Sequence, residues 1–149
     1  MKCFYRKVNI VIALLIFCMT LIACMSEEVR QLRNNAIKLK TVIEYWEAKQ
    51  EANIGIRYLL DASCSHCIGD YFRFLSVYEN SGICTSCEVY MDKTYWELLE
   101  YYMEVNDIDP SKNIKNIALE FEYPFGFDNT DGVVLIIDSQ DNILETMRF

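Results

Sequence analysis

The chain has 149 residues, 52% of them hydrophobic, and a net charge of −8 from 22 acidic against 14 basic side chains. That is the size of one domain, and a negative protein repels nucleic acid phosphates and anionic lipid headgroups, so nucleic acid is excluded as a partner. A single histidine excludes a histidine-based triad or a multi-histidine metal site, and five scattered glycines leave no phosphate-cradling loop, so no cofactor is expected.

The chain opens with three basic residues, Lys2, Arg6 and Lys7, and no acid. From Ile10 to Ala23 only Thr20 is polar. The run falls short of the ~20 residues that span a bilayer and fits the apolar core of a removable export signal. It ends Leu21-Ile22-Ala23-Cys24, and polarity returns at once with Ser26-Glu27-Glu28. The tetrapeptide resembles a bacterial lipobox. The resemblance implies cleavage before Cys24, lipid on its sulfur and amino terminus, and an extracytoplasmic protein held to a membrane of the cell envelope by several acyl chains. Residues 1–23 are then the signal. Losing its three cations leaves 11 basic against 22 acidic residues, a mature charge of −11.

Val29, Leu32, Ala36, Leu39, Ile43 and Trp46 recur at spacings of three and four, which predicts an amphipathic membrane-proximal helix within residues 24–53. Ile54 to Leu60 reads as a strand. Ile68 to Glu79 reads as a helix through Ile68, Tyr71, Phe72, Leu75 and Tyr78, stopped at Gly82 by a left-handed cap. Glu88 to Met91 is a second strand. Thr94 and Glu97 form a capping box for a helix reaching about Val105. Asp109-Pro110 can start another helical turn, and residues 113–130 give no clear pattern. Val133 to Asp138 is a β-branched run typical of a buried strand. Ser139 to Asn142 is turn chemistry, and Ile143 to Arg148 pairs back as a hairpin.

Cys3 and Cys18 leave with the signal and Cys24 takes lipid, so Cys64, Cys67, Cys84 and Cys87 remain, as two Cys-x-x-Cys pairs. Export places them where disulfides persist. Cys64-Ser65-His66-Cys67 lies between a strand and a helix. A cysteine in the first helical turn meets the positive end of the macrodipole and unpaired N–H groups, which favour the nucleophilic thiolate. Cys64 would attack, Cys67 would resolve the mixed disulfide, and protonated His66 would stabilise the thiolate.

The order strand, Cys-x-x-Cys, helix, strand, helix, hairpin resembles a thioredoxin-like domain over residues 54–149, in the style of small lipoproteins of Bacteroides-type Gram-negative bacteria. The expected fold is therefore α/β: a thioredoxin-like βαβ unit and a terminal β-hairpin, preceded by the amphipathic helix. The last thioredoxin helix is missing, and the helix from residue 27 is a candidate to cover the sheet face it vacates. The resemblance implies a thiol–disulfide oxidoreductase acting through Cys64, Cys67 and His66 on protein thiols and disulfides of the envelope. Three positions depart from the family: Gly132 stands for its cis-proline, Ser63 for its tryptophan and Tyr58 for its buried acid. They favour the alternative, a non-catalytic envelope lipoprotein with an interaction module and structural disulfides.

The spacing Cys64-x-x-Cys67, sixteen residues, Cys84-x-x-Cys87 also suits a four-cysteine zinc site. A helix of about 18 Å between the pairs, followed by a right-handed crossover, would separate them. No metal is therefore assigned, and Cys84 and Cys87 are expected to form a local disulfide.

Overall fold

Strand β1 (Gly55–Leu60) buries Ile56, Tyr58 and Leu60 on one face and Leu59 on the other, so it belongs in the middle of a sheet. A computed structural model, describing residues 26–49, 53–109, 113–120 and 132–148, places it there. Among the described residues the structure is α/β, with three α-helices and one mixed sheet of order β3-β2-β1-β4-β5. β1 runs parallel to β2 (Cys87–Asp92), pairing Ile56 with Cys87 and Leu60 with Met91. On its other side it runs antiparallel to β4 (Val133–Ile137). β3 (Ile114–Leu119) extends the parallel half and β5 (Ile143–Met147) closes the hairpin. Parallel neighbours need long crossovers. Helix α2 (Ser65–Ser81) joins β1 to β2, and α3 (Trp96–Val105) joins β2 to β3.

Residues 26–49 form helix α1. Its Ala36, Leu39 and Ile43 lie in one apolar cluster with Ile68, Tyr71 and Phe74 of α2 and with Val134, Ile136 and Met147 of the hairpin. Trp46 Nε1 donates to Glu145 Oε2 on β5 at 2.9 Å, and Thr85 Oγ1, ahead of β2, donates to Glu47 Oε1 at 3.0 Å. The helix is thus fastened to β5 and to the loop before β2. A smaller cluster of Leu59, Val133, Leu135 and Ile137 lies on the opposite face.

Several expectations shift. Val29 belongs to the apolar stripe of α1 yet is 64% exposed. The capping box does not form: Asp92 Oδ1 accepts from Thr94 N–H at 2.8 Å, and Lys93–Tyr95 makes a 3₁₀ turn before α3. The carboxylate that ends β2 reaches the free N–H first, so Thr94 falls inside the turn instead of capping it. Residues 114–119, which gave no pattern, are strand β3. Gly82 does terminate α2 in the left-handed conformation, φ 66°. In the hairpin turn, Asp138 accepts from the N–H groups of Gln140 and Asn142 and from the Asn142 amide. These hydrogen bonds, the Asn142 side chain foremost, hold its carboxyl below the usual range.

No helix among the described residues is long and apolar enough to cross a membrane. The signal run, Cys24, the Pro110 turn and residues 121–131 lie outside them.

Candidate functional site

Four residues turn the chain from β1 into α2. Asp61 Oδ1 accepts from Ser63 N–H at 2.9 Å, which folds the chain over after Leu60. Cys64 then adopts an extended conformation, φ −136° and ψ 148°, and caps α2. Its carbonyl accepts the first helical bond, from Ile68 N–H at 3.2 Å. Its Sγ accepts from Cys67 N–H, also at 3.2 Å. A sulfur thus occupies the place where a serine or aspartate oxygen usually caps a helix, facing the positive end of a 17-residue dipole with no acid in the first turn to offset it. Cys64 is exposed and Cys67 buried. The two form a disulfide with Cα atoms 5.4 Å apart. The arrangement offers one sulfur to an incoming thiolate and hides the other.

His66 lies between the cysteines in sequence, but its side chain is 86% exposed and its Nε2 is 3.5 Å from Asp70 Oδ2. Asp70 is also held by Arg73 Nη1 at 2.7 Å. Asp70 was not singled out in the sequence; its signal was the four-residue offset from His66, one helical turn. Behind it stands Tyr58, stacked on Phe74 at 4.4 Å between ring centroids. Burial pushes the Tyr58 hydroxyl far above its usual range. Gly132 approaches this hydroxyl closely. It has φ 57°, and a Cβ there would lie 2.9 Å from Tyr58 Oη and 4.0 Å from Asp70 Cβ. The residue leading into β4 therefore abuts both the β1 tyrosine and the second turn of α2. Among the described residues every peptide bond is trans.

Comparison with family models, curated proteins and solved structures gives no match. The chemistry of the site thus rests on its own residues.

The second cysteine pair stands elsewhere. Cys87 opens β2 beside Ile56, whereas Cys64 follows Leu60 at the other end of β1. The four strand steps from Ile56 to Leu60 span about 13 Å. The four sulfurs do not converge, and no cluster of metal-ligating side chains occurs among the described residues. The expected disulfide between Cys84 and Cys87 is not formed. Both are free, Cys84 exposed and Cys87 fully buried. The ladder fixes Cys87 with its side chain in the core, and burial raises its thiol far above the usual range. The preceding loop is clamped by Tyr78, whose hydroxyl donates to the Thr85 carbonyl at 2.6 Å. Cys84 instead lines an open cleft of about 570 Å³ shared with Lys40, Glu44 and Glu47 of α1.

Proposed function

We propose that this protein is a lipid-anchored, extracytoplasmic thiol–disulfide oxidoreductase with a thioredoxin-like domain, acting through Cys64 and Cys67. The observation that carries the reading is the asymmetry of the pair: an exposed sulfur at the cap of α2, bonded to a buried sulfur one turn inside it. The order of β1, the dithiol, α2, parallel β2 and an antiparallel hairpin beside β1 is compatible with that domain. In this reading α1 takes the space that the final helix of a thioredoxin would fill, because it packs against the hairpin and α2 together.

The reaction follows from the geometry. A client thiolate attacks Cys64 Sγ, the Cys64–Cys67 bond breaks, and Cys67 leaves as a thiolate that takes up a proton. A second client thiol, losing its proton, attacks the client sulfur of the mixed disulfide and releases Cys64 as a thiolate. The client is oxidised by two electrons and the pair reduced by two; the reverse sequence reduces a client disulfide. The client and the envelope poise set the direction.

A Cys67→Ser variant removes the resolving sulfur and should accumulate mixed disulfides of envelope proteins on Cys64, while Cys64→Ser should accumulate none. A pattern identical in the two variants would contradict the assignment. One observation favours the second reading, a non-catalytic module with a structural disulfide: Tyr58, an uncharged and deeply buried hydroxyl, lies where a proton-transferring acid is expected. That reading predicts lost stability in Cys64→Ser and no trapped client in Cys67→Ser.

A further inference from the structure

The average charge conceals an uneven distribution along the mature chain. Residues 26–40 carry Arg30, Arg33, Lys38 and Lys40 against Glu27 and Glu28, a balance of +2. The remainder of the mature chain, at −11 − 2, carries −13. The basic half of α1 is also the half nearest the anchor, since Ser26 follows Cys24 by two residues.

This half leaves apolar side chains in solvent. Val29 is 64% and Ile37 54% exposed, and both sit beside Arg33 at helical spacings of four. They border an open groove of about 540 Å³ lined also by Leu32, Ala36 and Asn80 of α2. Arg30 is paired with Glu27 and Lys40 with Glu44, whereas Arg33 and Lys38 have no ion pair among the described residues. Exposed apolar side chains with a long cationic one between them, on the flank of a helix beside its core contacts Leu32 and Ala36, make the pattern of a helix edge lying in a lipid interface.

We infer that the Val29–Arg33–Ile37 face of α1 docks on an anionic phospholipid surface and fixes the orientation of the domain on its membrane. The inference rests on the lipid anchor at Cys24 and not on the redox chemistry. Ser26 to Ile37 spans about 17 Å of helix, so with α1 lying along the membrane the whole face comes within a Debye length of the headgroups, about 10 Å at ordinary salt, where local charge outweighs the distant acidic surface. The apolar side chains enter the acyl boundary, Arg33 between them reaches up to the phosphates, and Lys38, about 100° further round the helix than Ile37, adds positive charge from its side. Cys64, at the head of α2, is then held in a fixed attitude to the membrane instead of tumbling on a tether.

The test is hydroxyl-radical footprinting of the lipidated, full mature protein in vesicles of phosphatidylcholine alone or mixed with phosphatidylglycerol, with the mass of the N-terminal peptide reporting lipid on Cys24. Val29 and Ile37 should be oxidised several-fold less in the anionic vesicles. About 1 M salt, where the Debye length falls to about 3 Å, should remove much of that difference. An R33E/K38E variant should show no difference, with Tyr101 on α3 labelled equally throughout as a control of folding. Equal labelling of Val29 and Ile37 in the two vesicles, with lipid present on Cys24, overturns the docking and leaves the anchor standing. Protection that depends on protein concentration and not on lipid charge assigns the face to a second copy of the chain and also overturns it. An N-terminal peptide without lipid overturns the anchor and the docking together.

Discussion

Tyr58 and Gly132 hold each other in place. The tyrosine ring is stacked inside the core on Phe74, and its hydroxyl fills the space a side chain at 132 would need. Gly132 also has φ 57°, a conformation that costs other L-residues roughly 1–2 kcal/mol. A Gly132→Ala substitution therefore meets both backbone strain and overpacking, the latter worth about 1–3 kcal/mol. Tyr58→Phe removes the oxygen that the new methyl would strike. The double variant should recover the overpacking part and not the backbone part, a coupling of about 0.5–3 kcal/mol in a urea-unfolding cycle. Strict additivity would show that the two residues do not meet. The sequence marked Gly132 as a departure from the thioredoxin pattern, and Tyr58 as another, but nothing in it joined them. They are 74 residues apart in the chain, and only the β1–β4 pairing of Tyr58 with Val134 brings them together. Cys64 and Cys67 were legible because their spacing is local. Asp70 was not, since a carboxylate on a helix surface looks like solvated charge until its partners are seen.

At the scale of elements, α1 decides whether the protein is a domain with a tether or a domain that includes its helix. Leu39 is fully buried within the main cluster. Leu39→Ala should cost about 2–5 kcal/mol and lower the midpoint of a single unfolding transition followed by both near- and far-ultraviolet dichroism. A sheet that unfolds at an unchanged midpoint would make α1 an appendage. Most elements could be read from periodicity, because α1, α2 and β4 satisfy their apolar patterns within their own segments. β3 could not. It lies at the sheet edge, pairing with β2 through Cys87 and Ile114, and its Asn116 points to the helix-bearing face, where it accepts from the Tyr71 hydroxyl at 3.0 Å. A polar residue at a core-facing position breaks the alternation that marks a strand. The start of α3 departs from its sequence pattern for a related reason: Thr94 and Glu97 have the spacing of a capping box, but Asp92, at the end of β2, takes the hydrogen bond.

At the scale of the molecule, the topology separates the two cysteine pairs that the sequence presents alike. The parallel β1–α2–β2 unit places one pair after the C-terminal end of β1 and the other beside its N-terminal end. Identical spacings thus acquire different chemistry: a helix-capping disulfide at one end, and at the other a buried thiol with an exposed neighbour. The central claim is that Cys64 is the activated sulfur. After reduction, the rate of Cys64 alkylation by iodoacetamide should be measured against pH, with peptide mass identifying the modified residue. The helix N-terminus favours the thiolate, so Cys64 should titrate well below the ~8.5 of a free thiol, while buried Cys67 reacts far more slowly. A Cys64 that titrates at or above ~8.5 would contradict the account.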